Sequence, residues 1–245
     1  MGLADLHIHS IYSYDGTATI PAILKYTAER TQLNVIAVTD HDSMKGVAEA
    51  MRLAPHYGLE VVPGVEVSTA DGHVLALFVN QLIPPGLSLV ETALRVRAAG
   101  GICIAAHPLA FGTSSLRFET IQDALQQPGV KGSLVGVEAF NGGLVYTRQN
   151  ETIAERSRAL PLAQVGNSDA HVVQMIGGGA TQFEGRSAAE LRAALQHRMT
   201  QPVAGRGLTG LDVLVHYIPR YLLRKLGWAA WNAHPSAPLT YTRLR

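Results

Sequence analysis

The 245-residue chain has one cysteine, Cys103. An internal disulfide is therefore impossible, and a lone thiol inside the apolar run "GICIAAHP" reads as a buried filler suited to a reducing compartment. Excess charge is also missing: Lys and Arg number 20 and Asp and Glu 19, a formal net charge of +1. Such a balance supplies no basic field of the kind that stable nucleic-acid binding draws on. No apolar run is long and uncharged enough to span a bilayer, and the first residues lack the basic-then-apolar order of a signal peptide. A cytoplasmic location is expected.

Hydrophobic residues make up 47% of the chain, enough at this length for one large core in a single domain. Short apolar runs ending in polar residues alternate with segments of helical spacing, the pattern of a parallel sheet with crossover helices. Strands are expected at "ADLHIHS", "NVIAVTDHD", "LEVVPGVEVS", "HVLALFV", "GICIAAHP", "LVGVEAFN" and "LAQVGNSDAH". Helices are expected over Ile20–Arg30, Ser43–Tyr57, Ser88–Ala99, Leu116–Gln127, Thr147–Ala159 and Ser187–His197, with Ser43 as an N-cap and Gly58, Gly100 and Gly129 at helix ends.

The stretch "DLHIHSIYSYDG" places two histidines one residue apart in the first strand. A strand sends residues i and i+2 to one face, so His7 and His9 project together while Leu6 and Ile8 point the other way into a core. Polar residues recur at the carboxyl ends of the later strands, and in a (β/α) barrel those ends converge on one mouth. His7, His9, Asp40, His41, Glu66, His107, Glu138, Asp169 and His171 would all look into one bowl. So many ionisable groups cost desolvation unless they are paired or bind metal. Histidine nitrogens mixed with carboxylates suit Zn, Mn or Fe better than Mg or Ca. Two or three ions with one bridging carboxylate account for the number of ligands, and such clusters hydrolyse phosphate esters through an activated water.

The ordered set "DLHIHS…YDG", "VTDH", "GVEVS", "GHVLALF", "AAHP", "GVEAFN" and "GNSDAH" resembles the polymerase and histidinol phosphatase (PHP) superfamily from residue 3 to about residue 206. The resemblance implies an α/β fold, a distorted (β/α)7 barrel, over residues 1–206, with residues 207–245 as a C-terminal extension that is helical in part. It also implies up to three divalent transition-metal ions, Zn, Mn or Fe. Carried over by position, one ion takes His7, His9, Glu66 and Asp169; a second takes Glu66, His73 and His107; a third takes Asp15, His41 and His171. Some members carry histidine at the position of Asp15, where a carboxylate favours Mn or Fe. His73 enters the set through the resemblance; its own context, a turn leading into a strand, leaves the role open. Asp5, Asp40, Glu138 and Asn141 fall beside these ligands and are expected to orient them. Arg148 and Arg206 are candidates for the substrate phosphate.

The implied activity is that of a metal-dependent phosphoesterase acting on a small phosphate ester, such as a nucleotide, an oligonucleotide end or a phosphorylated metabolite. Its nucleophile would be a metal-bound hydroxide, with no separate nucleophilic side chain. A metal-dependent hydrolase of non-phosphate bonds would use similar ligands, and a non-catalytic PHP binding module would be expected to have lost some. Family members acting on RNA and nucleotides often insert a helical domain between the counterparts of His73 and His107; here that interval holds one expected helix. An open mouth follows, with selectivity left to the loops "LAFGTSSLR" and "NGGLVYTR". His56, His197, His216 and His234 lie outside every motif. In the tail, Leu211, Leu214, Val215, Ile218, Tyr221 and Leu222 recur at helical spacing beside Arg220, Arg224 and Lys225, with an interruption at Pro219. Packing on the barrel wall, dimerisation and contact with an anionic membrane surface are the roles open to that helix.

Overall fold

All seven expected strands form: β1 (Gly2–Ile8), β2 (Val35–Val38), β3 (Glu60–Ser68), β4 (His73–Leu77), β5 (Ile102–Ala105), β6 (Leu134–Asn141) and β7 (Ala163–Asn167). The computed structural model describes residues 1–109, 115–143, 149–205, 210–231 and 240–243. Two strands that the sequence reading did not expect follow, β8 (Gly179–Phe183) and β9 (Thr200–Ala204). The nine strands make one sheet in the order β7-β6-β5-β4-β3-β2-β1-β8-β9. That sheet curls until the chain leaving β7 returns to β1. Ala170 bridges Ile8, and the His9 N–H donates to the Ala170 carbonyl at 2.8 Å. The result is a nearly closed, distorted barrel of the (β/α)7 type.

The sheet is mixed rather than parallel. β4 runs antiparallel to both β3 and β5, and β8 runs antiparallel to β1 and β9. The link from Ser68 to His73 is too short for a crossover helix, and a hairpin is what such a link allows. Pro202 in β9 has no N–H to give a ladder, which suits the edge position that β9 holds.

Three apolar layers follow from the strand periodicity. Ala4, Leu6, Val35, Ala37, Val62, Leu75, Leu77, Ile102, Ile104, Val135 and Val165 fill the barrel interior. Their alternate neighbours, Val65, Val67, Val74, Cys103 and Val137, pack outward under α3 (Leu89–Ala98) and α4 (Phe118–Gln126). Ile8, Ile36 and Val38 pack under α1 (Ile20–Arg30) and α2 (Val47–Leu53). Leu6 and Ile8 thus enter different layers, contrary to the simple alternation expected for β1. The β1–β2 register shifts between Asp5 and Ile8, the signature of a bulge that re-aims side chains. Two further helices complete the barrel, α5 (Asn150–Ser157) and α6 (Ala188–Gln196). Leu191 and Leu195 of α6 enter the interior layer, Ala188 N–H donates to Glu60 at 2.8 Å, and Arg192 donates to the Gly100 carbonyl at 2.5 Å. Glu60 and Gly100 stand at the amino ends of β3 and β5, so α6 closes the floor and leaves the opposite mouth free.

Helix α1 has the expected limits, and α3 and α6 begin on capping boxes, Ser88 with Glu91 and Ser187 with Glu190, each cap worth about 1 kcal/mol. The helix expected over Ser43–Tyr57 is shorter: α2 starts after Gly46, and Ala54–Tyr57 is a 3-10 turn. Ser43 is no N-cap. Its hydroxyl accepts from the Lys45 N–H two residues on, closing a local turn that competes with helix.

After β9 come the short α7 (Gly210–Asp212), a π-helical turn at Val213–Tyr217, α8 (Ile218–Lys225), and an antiparallel pair, β10 (Trp228–Trp231) with β11 (Thr240–Arg243). Pro219 sits in the first turn of α8, where its missing N–H costs nothing. Among the described residues, no helix is long and apolar enough to cross a membrane.

Candidate metal centre

Each site residue reaches the mouth by its strand. His7 and His9 leave β1, His41 follows β2, Glu66 lies near the end of β3, Glu138 and Asn141 end β6, and Asp169 and His171 follow β7. His73 is at the start of β4, not its end. Because β4 is antiparallel, with Ser68 paired to His73, its first residue also stands at the mouth. Two of these positions need unusual backbone: His107 has φ 24° and Asp169 φ 51°. For residues with a side chain that region costs about 1–2 kcal/mol, and such strain persists only where the surroundings hold it. Asp15 is delivered by a tight loop. Any side chain at Gly16 would overlap the Ser10 carbonyl, so glycine is required there.

Glu66 is the centre of the arrangement. One oxygen, Oε2, lies 3.1 Å from His7 Nε2, 3.3 Å from His9 Nε2 and 3.1 Å from His41 Nδ1. The other, Oε1, lies 2.9 Å from His73 Nδ1 and 3.1 Å from His107 Nε2. Asp169 Oδ1 stands 3.3 Å from His7 Nε2 and 3.2 Å from His9 Nε2. On the far side, Asp15 Oδ2 is 3.0 Å from His171 Nε2 and 3.4 Å from His41 Nε2. All nine expected ligands therefore meet in one bowl. Ligand atoms close enough to share an ion fall into four overlapping groups: His9, Asp15, His41 and His171; His7, His9 and Glu66; His7, His107 and Asp169; and His41, Glu66 and His73. These groups cut across the three sets implied by the resemblance: His9 joins the Asp15 group, and His41 shares Glu66 with His73.

The donors fit cations better than they fit each other. His7 Nε2, His41 Nδ1, His73 Nδ1 and Glu66 Oε2 are sealed from solvent and have no hydrogen-bond partner, although carboxylate oxygen and ring nitrogen lie about 3 Å apart. Orphaned polar atoms are rare in protein interiors. Here they are aimed at common points between them, which is the geometry of a ligand cage.

The surrounding residues fix ring orientation. Glu138 Oε1 lies 3.1 Å from His7 Nδ1, and its other oxygen accepts from the His107 N–H at 2.7 Å and from Asn141 Nδ2 at 3.0 Å. An ionised carboxylate only accepts, so the His7 Nδ1 carries the proton and Nε2 keeps its lone pair toward the bowl. His171 Nδ1 donates in the same way to the Asp169 carbonyl at 2.8 Å, leaving Nε2 toward Asp15. Asp40 accepts from the Ser10 N–H at 2.6 Å and hydroxyl at 2.7 Å. Asp5 touches no ligand side chain; it accepts from the N–H groups of Ser168 at 3.1 Å and Gly177 at 3.0 Å and so clamps the loop that bears Asp169.

Electrostatics point the same way. Burial opposes ionisation of Glu66, but the imidazoles of His7, His107 and His73 outweigh it and hold the carboxyl well below its ordinary range. Asp169, also buried, is held well below by His7, His9 and His171, and Asp15 is lowered despite burial by His171 and His41. Burial and the neighbouring His171 bring His9 down to about 4, so its ring is neutral. Burial raises Asp5 and Asp40 to about 6. The same carboxylates hold His7, His41 and His107 above their ordinary range and bring His171 to about 9 against the effect of burial, so the cluster favours positive charge and a metal cation would displace protons from these rings.

Arg148 and Arg206 lie outside the described residues, as does His234. His56 and His197 are exposed, away from the mouth. The sequence reading missed Asn167, whose amide donates to Glu138 at 2.8 Å while its oxygen takes the Leu6 N–H at 2.9 Å. The strand period could have found it, two residues before Asp169 on the same face. It also missed Ser13, whose hydroxyl donates to Asp15 at 2.7 Å, and Ser115, 3.4 Å from His107 Nδ1. Of the roles left open to the tail, packing on the barrel is seen, though at the mouth: the Tyr217 ring stands edge-on to His171 at 6.0 Å, and Arg224 donates to the Ser13 carbonyl. The mouth is thus walled on that side by the C-terminal segment, a correction to the open mouth expected from the short His73–His107 interval.

Comparison with known proteins agrees with this architecture. The PHP domain family model matches residues 5–82, and a PHP-associated model matches residues 147–200. An uncharacterized protein of Methanocaldococcus jannaschii is 35% identical over 147 residues, 56% of this chain and 81% of that protein. A 5'-3' exoribonuclease of Haemophilus influenzae is 27% identical over 217 residues, 86% of this chain and 68% of the enzyme. In fold, the chain is similar to a two-domain protein of Bacteroides vulgatus containing a predicted PHP-like metal-dependent phosphoesterase, with TM-score 0.63 and 21% identity over 98% of this chain and 74% of that one. With the motif order, the mixed barrel and the clustered histidines and carboxylates in agreement, the chain belongs to the PHP family.

Proposed function

We propose that the chain hydrolyses a small phosphate ester at this centre, with His7, His9, Asp15, His41, Glu66, His73, His107, Asp169 and His171 holding two or three divalent transition-metal ions. By class it is a metal-dependent phosphoesterase. The observation that carries the reading is the set of sealed, partnerless donor atoms around Glu66. Bound there, Zn, Mn or Fe ions would lower the pKa of water and screen the charge of a phosphoryl group. The protein's own part is to keep the cage ready. Glu66 stays ionised between five imidazoles, and Glu138 and the Asp169 carbonyl set the tautomers of His7 and His171. Asn141, with Nδ2 3.4 Å from Asp169 Oδ2 and 3.0 Å from Glu138, ties the two carboxylates together. No serine, cysteine or threonine is placed as a nucleophile in this reading. The catalytic unit is residues 1–206, and residues 207–245 are an extension of it. Its substrate is a nucleotide, an oligonucleotide end or a phosphorylated metabolite, rather than a nucleic acid bound along its length.

The test is a panel. Protein prepared without chelator and supplemented with Mn, Fe or Zn is assayed against nucleotides, sugar phosphates and an aryl phosphate, with amides and lactones alongside, and its metal content is measured. Phosphate release that stops on metal removal is expected, with two or three ions per chain. Turnover of amides or lactones alone would assign the site to the other hydrolase class, and one ion or fewer would remove the multinuclear reading.

A further inference from the structure

The C-terminal segment approaches the mouth with polar groups that its own folding does not use. Arg224 Nη2 donates to the Ser13 carbonyl, and the Ser13 hydroxyl in turn donates to Asp15 at 2.7 Å and accepts from the His41 N–H at 3.4 Å. One serine thus joins the guanidinium to two residues of the metal cage. The other terminal nitrogen, Nη1, is sealed from solvent and has no hydrogen-bond partner. A guanidinium presents five donors in a planar fork, and a buried donor left empty is costly unless a ligand takes it. Nearby, Tyr217 stands against His171 and stacks on Tyr221 at 5.6 Å, while Tyr14 stacks on His41 at 4.7 Å. The π-helical turn Val213–Tyr217 delivers Tyr217, and such turns recur at functional sites.

We propose that α8 and the π-helical turn before it complete the substrate site, with the free donor of Arg224 binding a phosphate oxygen that the metal centre leaves unheld and Tyr217 walling the organic part of the ester. The proposal rests on the phosphoesterase reading above. Arginine suits the task because it can keep the Ser13 carbonyl and a phosphate oxygen at once through different nitrogens; a lysine ammonium in its place loses the fork and binds as a point charge. The burial that pulls the Arg224 pKa down is opposed by Asp15 and Asp40, so the charge is retained beside the cage.

The experiment uses the full-length, metal-loaded chain and three variants: Arg224→Ala, Arg224→Lys and, as a control on an exposed turn, His56→Ala. Inorganic phosphate binding is measured by calorimetry, aryl phosphate hydrolysis gives KM and kcat separately, and metal content is determined for each. Arg224→Ala should weaken phosphate binding about 10- to 100-fold, the value of one charged hydrogen bond, and raise KM in parallel. Metal content should stay unchanged, and kcat should change far less than KM. Arg224→Lys should recover part of the binding, and His56→Ala should match the unmodified chain. If the unmodified chain binds phosphate and hydrolyses the ester but Arg224→Ala does both equally well, Arg224 only anchors the helix and this proposal alone is overturned. Loss of metal from Arg224→Ala also overturns it, because the residue would then act on the Asp15 loop. If the unmodified, metal-loaded chain neither binds phosphate nor releases it from any ester, the phosphoesterase reading fails and takes the proposal with it.

Discussion

Barrel and tail treat their side chains in opposite ways. In the barrel, Leu6, Leu75 and Ile104 are fully buried, and so are the ionisable groups Glu66 and His7. Between Gly210 and Lys225 no residue is buried, and Leu211, Leu214 and Leu222 are 69%, 58% and 55% exposed. The barrel buries ionisable groups because carboxylates and imidazoles face one another there; the tail leaves apolar groups outside and turns an arginine and a tyrosine inward. An eight-residue helix is marginal alone in water, so α8 owes its order to what it docks on. The difference teaches that the barrel assembles the ligand cluster by itself, and that the tail lies against the rim of that cluster.

The largest test of this division strikes the barrel's central carboxylate. Glu66→Gln keeps the shape but removes the charge that His7, His9, His41, His73 and His107 share. Breaking a buried ionic cluster on one side destabilises the fold by about 3–5 kcal/mol, and turnover should fall to near background because the shared carboxylate charge is gone. Metal content measured on the same preparation should fall with it. If turnover falls while every ion is retained, Glu66 is not the bridge.

A smaller effect is expected from Glu138→Gln, because Glu138 orients ligands without being one. Gln can donate where Glu138 accepts, so the His7 Nδ1, the His107 N–H and two amides would compete for one remaining oxygen. Replacing such an orienting carboxylate lowers metal affinity roughly 10- to 100-fold. A metal titration with a competing chelator reads this directly. Equal affinity in the two proteins would mean that the His7 tautomer is set by other groups.

Much of the barrel was legible because its elements are written in period and punctuation. Seven strands, the limits of α1 and the starts of helices at Ser88 and Ser187 follow from alternation and helical spacing. Seven of the nine clustered residues, His7, His9, His41, Glu66, His107, Asp169 and His171, were legible for a related reason, since a strand end fixes where its next side chain points; Asp15 and His73 entered only through the family resemblance. What escaped depended on distance between elements. β8 and β9 are short, polar in part and broken by Pro202, and they gain strand character only by pairing with β1 and each other. The direction of β4 followed from the short Ser68–His73 link, yet a run such as "HVLALFV" reads the same in either direction. The approach of Arg224 to Ser13 spans 211 residues of sequence, and no local pattern reports it.

Ending the chain after Gly205 would sharpen the comparison with a milder effect. Every proposed ligand lies before that point, so metal content should match the full chain. The described part of the lost segment, Gly210–Gly227, has no buried residue, and a drop in melting temperature of about 2–4 °C, equivalent to about 1 kcal/mol for a chain of this size, is the expected cost. KM for a phosphate ester should rise, since Arg224 leaves with the segment. Loss of metal would break the division, showing that α8 braces the loop of Asp15.

The smallest effect concerns Cys103, in the wall of the barrel far in kind from the tail. Burial pushes its thiol up to about 12 from an ordinary 9.0, with only Ser133, 3.7 Å away, in opposition. Its folded pKa is raised above the unfolded value, so the folded thiol keeps its proton where the unfolded one loses it. This contribution to stability is therefore complete below pH 9 and is lost as pH rises from 9 to 12. At pH 8 the three-unit shift leaves the thiolate about 10³-fold scarcer than in the unfolded chain, and the reagent must also reach a sulfur buried in the core cluster of Val65, Val74, Ala105 and Leu134. Iodoacetamide should thus leave Cys103 unmodified in the native protein and react promptly once denaturant is added. All the enclosing residues belong to the barrel, so the chain ending after Gly205 should be just as resistant. Faster alkylation of the shortened chain at pH 8 would show that the barrel wall opens when the tail is gone, and that the two regions are one folding unit rather than a cage and its visitor.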